Sequence, residues 1–350
     1  MHTFGKIILL SVILWLAAGC NQSYNFFNGP FRHESFTGTV EELSFEPVDI
    51  DNLGIKELWI EDTLLFVAMY QNPEKLLSVY SLTDYRLVYD GLVLLGRGPN
   101  ECLDINFVSS YTDSSGVKLW LTANVQSKML CIDVTRSLSD EKLVVIKEID
   151  LSLIEDSFSL FKVLVQSDTS FVLIKWYNNT QVSTYNPLTN KETLVGWLYT
   201  TDVDRRNITD LSAGFLLEPN KSIVASGMLF FDQINFYHFN DPQKSFSVST
   251  AKEATHYNLV QPVEAAQRPR YYRMLCSVDE VIAINYLNKR NMYEEVSVEN
   301  NYVHIVDWNG KFLRVLHLDR SFVGEAFDKR TGYLYGVDLE TWDIIKYKIR

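Results

Sequence analysis

The feature that most constrains this chain is a group of four strand-like runs that recurs along it. KELWIED, TLLFVAMY, KLLSVYSL and RLVYDGLVL are rich in β-branched and aromatic residues and are separated by turn residues, which predicts four strands in about 50 residues. The grammar returns as FVSSYTD, VKLWLTAN, KMLCIDV and KLVVIKEIDL, and again as FKVLVQSD, SFVLIKWY, TQVSTYN and ETLVGWLY. A fourth unit runs from AGFLLEPN to SFSVSTA, a fifth from YRMLCSVD to FLRVLHLD, and a sixth reads VGEAFD, YLYGVDL and DIIKYKI. Each first hairpin carries one turn residue, in order Asp62, Asp113, Asp168, Asn220, Asp279 and Asp328. Asx side chains bond their own turn backbone and tolerate left-handed φ, so these positions are structural. Helical patterns are almost absent. The period predicts an all-β chain, a six-bladed β-propeller of four-stranded antiparallel blades.

The sixth unit supplies only three strands before Arg350. The segment Thr37 to Ile50 has no blade of its own. It is expected to contribute the missing outer strand and close the ring, removing two exposed sheet edges.

Ahead of the repeats, Lys6 and an apolar run from Ile7 to Ala18 end in Ala17-Ala18-Gly19-Cys20. A dozen apolar residues falls short of the roughly 20 that a membrane-spanning helix needs, and fits an export signal. Leu16-Ala17-Ala18-Gly19-Cys20 resembles a bacterial lipobox, with the aliphatic residue four rather than three places before the cysteine. The resemblance implies a lipid on Cys20 and a membrane-anchored protein. Asn21 in place of Asp resembles the pattern that does not retain enterobacterial lipoproteins at the inner membrane. NQSYNFFNG lacks the acidic cluster that resembles a surface-export signal in Bacteroidetes. The expected place is the outer membrane, facing the periplasm. The expected layout is a signal peptide over 1–19, a linker over 20–36 and the propeller over 37–350.

The net charge of −12 argues against nucleic acid, because phosphate binding needs a basic footprint. Cys102, Cys131 and Cys276 remain beyond the anchor. Cys102 is expected at the edge of a first strand and Cys131 in the third strand of the same sheet. Such strands lie roughly 9.5 Å apart, beyond the roughly 7 Å limit for bridged Cα atoms. Free buried thiols are expected.

The lipobox, the six units and Gly96-Arg97-Gly98-Pro99-Asn100-Glu101 together resemble the TolB-like six-bladed propeller lipoproteins of Bacteroidetes. The resemblance covers nearly the whole mature chain, and the ending WNGKFLRVLHLDR…LYGVDLETWDIIKYKI shares it. It implies fold and envelope location and no established catalytic activity, so function rests on the site.

Strand alternation places the second-to-third loops and the blade-to-blade crossovers on one face. The crossovers carry Arg97, Arg205, Arg206, Arg268, Arg270, Arg273 and Arg320, half of all the arginines. The second-to-third loops YQNPEK, ANVQSK, WYNNTQ, FFDQ, NYLNKRN and ETW are rich in amides and aromatics. Guanidinium forks match carboxylates and phosphates two-pronged, and Asn, Gln and aromatic rings suit sugar hydroxyls and faces, so the expected ligand is an acidic glycan or an envelope protein. The expected contact residues are Arg97, Glu101, Arg205, Arg206, Arg268, Arg270 and Arg320. The alternative pairs Arg97 with Glu101 and the others with Asp204, Asp210 and Asp319.

HExxH, G-x-S-x-G, P-loop and EF-hand patterns are absent from the sequence. The histidines have no metal-ligand spacing, and His304 in YVHIVDW alternates with apolar neighbours as a packed residue does. No cofactor is expected of a binding module. The enzyme alternative is a calcium-dependent, lactonase-like hydrolase, with Glu101, Asn124, Asn178, Asn285 and Glu340 converging on the central channel. Asp62-Thr63-Leu64 also resembles a Bacteroidetes O-glycosylation sequon on a hairpin. The expected state is a monomer.

Overall fold

The computed structural model describes residues 30–350 apart from 51–53, 71, 99, 176–180, 198–212, 221, 253–262, 265–266, 279–280 and 290–300. Cys20 and the expected signal peptide therefore lie outside the described residues, as do Arg205, Arg206, Asn178 and Asp279.

Three short strands precede the blades: β1 (Phe31–His33), β2 (Glu41–Leu43) and β3 (Glu46–Pro47). Blade one is β4 (Ile55–Glu61), β5 (Leu64–Met69), β6 (Lys75–Ser81) and β7 (Leu87–Leu95), with β8 (Glu101–Cys102) added in parallel at the end of β7. Blade two is β9 (Asn106–Asp113), β10 (Gly116–Ala123), β11 (Lys128–Asp133) and β12 (Val145–Asp150). Blade three is β13 (Leu160–Ser167), β14 (Ser170–Lys175), β15 (Gln181–Asn186) and β16 (Lys191–Trp197). Blade four is β17 (Ala213–Leu217), β18 (Ile223–Met228), β19 (Ile234–His238) and β20 (Phe246–Ser249). Blade five is β21 (Arg270–Val278), β22 (Val281–Lys289), β23 (Tyr302–Asp307) and β24 (Phe312–Leu318). Blade six is β25 (Phe322–Asp328), β26 (Tyr333–Asp338), β27 (Ile344–Lys348) and the early strand β3.

Inner strands touch in the order β4, β9, β13, β17, β21, β25 and back to β4, which makes a ring of six. The core is correspondingly cyclic. Phe66, Leu77 and Val79 of blade one pack against Phe107, Leu119 and Leu121 of blade two. Trp120 and Met129 meet Phe171 and Leu173 of blade three. The last interface sets Tyr335, Val337 and Ile344 of blade six against Leu58, Leu65 and Val67 of blade one. Second strands are sandwiched on both faces, and this is why LLFVAM in β5 reads as an unbroken apolar run. Outer strands keep one side wet, as VIKEID in β12 does.

Closure occurs as expected, through fewer residues. Pro47 and Glu46 pair antiparallel with Ile345 and Lys346, and the Val48 N–H donates to the Ile344 carbonyl at 2.9 Å. An outer strand leaves one edge unpaired, so a proline there loses no ladder bond. Val48 and Ile50 then enter the interface between blades six and one.

The rest of the early segment does something the sequence did not reveal. β1 pairs in parallel with β20 of blade four, and β2 in parallel with β24 of blade five. The end of the expected linker 20–36 is thus part of the propeller. Residues 31–47 form a strap over the rims of three consecutive blades. Carboxylates fasten it: Arg314 Nε and Nη2 donate to Glu41 Oε1 and Oε2, each at 2.7 Å, and His317 Nδ1 meets Glu42 Oε2 at 2.5 Å. Arg314 holds the Glu41 carboxyl below the usual range through those bonds.

Candidate functional site

Propeller loops fall on two faces. First-to-second and third-to-fourth hairpins form the lower face. Its turns are held by Asx chemistry: Asp113 Oδ1 accepts from Ser115 N at 2.7 Å, and Asp328 Oδ1 accepts from Arg330 N at 3.0 Å. Asp62 takes φ 51° in the first hairpin, with Thr63 exposed beside it. Second-to-third loops and crossovers form the upper face, where the expected contact residues belong.

The GRGPNE loop is built around its glutamate. Glu101 turns its carboxylate back, and Oε2 accepts from the Gly98 N–H at 2.7 Å. A Cβ on Gly96 would stand 1.9 Å from that oxygen, and one on Gly98 would stand 3.0 Å from the Glu101 Cδ. The signature therefore spaces two glycines so that a carboxylate can fill their place. Glu101 caps its own loop and is not extended toward a ligand.

Neighbouring loops brace this one. Leu95 N–H donates to the Glu74 carbonyl at 2.8 Å, linking the crossover to the second-to-third loop of blade one. On the other side, Gln126 Oε1 accepts from Leu103 N at 2.9 Å, and Asp104 Oδ1 accepts from Val125 N at 2.9 Å. Arg97 stands exposed on this braced loop, with no ion pair to any described residue.

The other expected arginines do not join it. Arg268 is buried, with its guanidinium 5.4 Å over the Phe230 ring and Nε donating to the Val263 carbonyl at 2.7 Å. Arg270 is half-buried at the start of β21. Arg320 pairs with Glu340, approaches Asp338 at 3.9 Å and lies over the Phe45 ring at 5.3 Å. Its partners come from blade six, while the neighbouring Asp319 accepts from the Tyr347 hydroxyl at 3.0 Å. Arg273 lies in β21. Among the described arginines of the expected set, Arg97 is the exposed one without an ion pair, and Arg205 and Arg206 lie outside the described residues.

What the upper face does carry is apolar. Tyr70, Val125, Leu153, Phe161 and Trp342 stand exposed at loop positions or strand starts there, from blades one, two, three and six. The lower-face ends also expose apolar residues, Leu188 in a hairpin and Leu87, Ile146 and Leu313 at strand starts. The signal was present in the sequence, since Tyr70, Val125 and Trp342 occupy loops that strand alternation cannot bury.

Polar bonds join the inner strands of neighbouring blades, while the Arg270 Nε at the start of β21 is buried without a hydrogen-bond partner among the described residues. Lys56 Nζ donates to the Ile105 carbonyl at 2.6 Å and to Asn106 Oδ1 at 2.8 Å, and Glu57 Oε2 accepts from Phe107 N at 3.2 Å. Burial pushes the Glu57 carboxyl above its usual range, against the pull of Lys162 and Lys56. These bonds tie the inner strands of blades one and two. Between blades four and five, Asp232 accepts from the Tyr272 hydroxyl at 3.0 Å and from Ala251 N at 3.1 Å. It too is a strut between blades, and residue spacing alone does not reveal it.

Two members of the expected calcium set are engaged elsewhere. Glu101 is folded into its own loop and Glu340 is paired with Arg320. Asn124 opens the second-to-third loop of blade two, while Asn285 lies in β22. Among the described residues no group of three or more His, Cys, Asp or Glu could hold a metal ion. Nor do the thiols offer a nucleophile. Cys102, Cys131 and Cys276 are free, and burial raises all three, Cys131 to about 11, so they stay protonated near neutrality. Cys102 sits in β8 against the outer strand of blade one rather than in the first strand of blade two, because its crossover is drawn onto β7. His304 is buried against Tyr286, with ring centroids 4.3 Å apart, and burial depresses it to about 3.

No family model and no curated protein matches the chain. Solved structures do resemble it. A member of the DUF4221 family from Bacteroides vulgatus is 12% identical, with a TM-score of 0.58 over 88% of this chain and 96% of that one. A Bacteroides fragilis protein described as a candidate exported protein is also 12% identical, with a TM-score of 0.50 over 91% of this chain and 98% of that one. At such identities the likeness is one of fold, shared with proteins of Bacteroides.

Proposed function

We propose that this protein is a non-catalytic binding module of the bacterial envelope, of the TolB-like lipoprotein kind. It is anchored through Cys20 at the outer membrane on the periplasmic side, and it meets its partner with the upper face. The ligand carries carboxylates, as an acidic glycan or an acidic protein segment does, and Arg97 is its anchoring group.

One observation carries this reading. Tyr70, Val125 and Trp342 are exposed on the second-to-third loops of blades one, two and six, and Arg97 is exposed on a crossover of the same face. Exposed apolar surface rimmed by polar residues marks interaction sites. The likeness to a Bacteroides protein described as exported agrees with an envelope location, and so does the tripartite N-terminus ending in Cys20. Among the described residues no helix is long and apolar enough to cross a membrane.

A photo-cross-linking amino acid placed at Val125 or Trp342 in the native host should give discrete adducts, and one at Leu188 should not. Equal adducts from all three sites would remove the case for the upper face. Cys20→Ala should abolish fatty-acid labelling and release the protein to the soluble fraction; unchanged labelling would remove the anchor.

A further inference from the structure

The strap enters the propeller from a definite side. In each blade the fourth strand starts at the third-to-fourth hairpin, on the lower face, and runs to the crossover on the upper face. β20 and β24 are the fourth strands of blades four and five. β1 lies parallel to β20, with Phe31 against Ser247 and His33 against Ser249, and β2 lies parallel to β24, with Glu41 against Leu316. Both strap strands therefore rise from the lower face toward the upper. Phe31 stands at the lower end of the rim of blade four, and the chain that precedes it arrives there.

That entry point is fastened. The Ser247 N–H donates to the Pro30 carbonyl at 3.0 Å, and the Glu34 N–H donates to the Ser249 carbonyl at 2.9 Å. The Arg32 guanidinium lies 4.2 Å over the Phe246 ring, and His33 Nδ1 meets the Ala251 carbonyl at 3.1 Å. The next fixed strand is β2, held by Arg314 and His317 against Glu41 and Glu42. It has the same polarity, so release of β1 would leave the entry on the lower side.

The chain between Cys20 and Phe31 is ten residues, 21–30. At about 3.3–3.6 Å per residue its reach is at most roughly 40 Å. Turning the upper face to a bilayer would require this tether first to climb the depth of the blade, about 20 Å for the six residues of β18. That climb takes about half the reach and stretches what is left, at a cost in conformational entropy. With the lower face toward the bilayer no climb is needed.

We propose that the short tether from Cys20 holds the lower face toward the membrane, so that the upper face looks away from the bilayer and receives a partner from the aqueous space. The proposal rests on lipid attachment at Cys20 and on the reading of the upper face as the binding face, and it adds the side from which the partner comes.

The test is energy transfer from the lipidated full-length protein to a headgroup-labelled lipid in vesicles of phosphatidylethanolamine and phosphatidylglycerol. A donor dye is attached through a clickable amino acid at Lys244 or Leu188 on the lower face, or at Val125 or Trp342 on the upper face, all of them exposed. Transfer from both lower positions should exceed transfer from both upper positions at least twofold. A Gly-Ser segment of about twenty residues inserted after Gly29 should erase the difference. Equal transfer from the two faces, or more from Val125 and Trp342, overturns the orientation and leaves the anchor standing. A difference that survives the insertion overturns the tether as its cause. Protein that fails to co-sediment with the vesicles, or that still does so with Cys20→Ala, overturns the anchor and the orientation with it.

Discussion

Gly96→Ala isolates the device that shapes the crossover loop. The added Cβ would lie 1.9 Å from Glu101 Oε2 and 2.6 Å from its Cδ, contacts that no packed structure tolerates. Gly96 is not among the glycines with left-handed backbone, so alanine brings no φ strain and the clash is its main cost. The carboxylate must leave, which breaks its 2.7 Å bond with the Gly98 N–H. Bonds to charged groups contribute about 1.5–3 kcal/mol, and Glu101 keeps part of its surface in water, so about 1.5 kcal/mol is expected. Glu101→Ala removes the same bond and also removes the obstacle. Each single substitution should therefore cost about 1.5 kcal/mol, and the double variant should cost no more than Glu101→Ala alone, a coupling of about 1.5 kcal/mol. Equilibrium urea unfolding of the four proteins reads this cycle directly. Losses that add to within about 0.5 kcal/mol refute the reasoning, because independent sites add in that way.

Two further outcomes follow from burial. His304 is held neutral to about 3, while an unfolded chain takes up the proton near 6.5, so stability falls as the pH drops below about 6.5. Between pH 7.5 and pH 5 this group should cost the folded state about 2 kcal/mol; His304→Phe, in a site walled by Tyr272, Tyr286 and Phe312, should lose that slope, and an identical slope in both proteins contradicts it. Ile50→Ala removes a side chain from the closing interface and should cost about 2–3 kcal/mol. For a chain of 350 residues that is a fall of roughly 3–4 °C in Tm at about 2.1 cal/mol/K per residue. Leu313→Ala, on the exposed side of β24, should change Tm little, and equal shifts for the two would mean the closing strand adds nothing.

Blade number and most strand positions were legible in the sequence because local signals coincide: apolar runs in doubly covered strands and Asx residues at the hairpins. The strap was not legible. FRH and EEL are three-residue strands whose pairing depends on edges far along the chain, as in Phe31 against Ser247 and Glu41 against Leu316. A retrospective signal lies in the outer strand it covers, since β20 reads FSVS and is buried throughout, unlike the charged β12. The surroundings of Arg268 and Arg320 were not legible for the same reason. Whether Arg320 reaches solvent or a carboxylate depends on Glu340 and Asp338, which the ring closure brings to it. Residue spacing placed Glu101 correctly on the crossover, yet its inward turn follows from the missing Cβ atoms of two glycines.

The central claim is that partners meet the upper face, and hydroxyl-radical footprinting tests it without knowing the partner. Oxidation of Tyr70, Phe161 and Trp342 is compared between intact envelopes and purified protein, with Leu188 as the lower-face reference. All four are exposed in the isolated chain. Protection of the three upper-face residues in the envelope, beyond any change at Leu188, is the predicted result. Equal oxidation of the upper-face residues in both preparations, or protection confined to Leu188, contradicts the account.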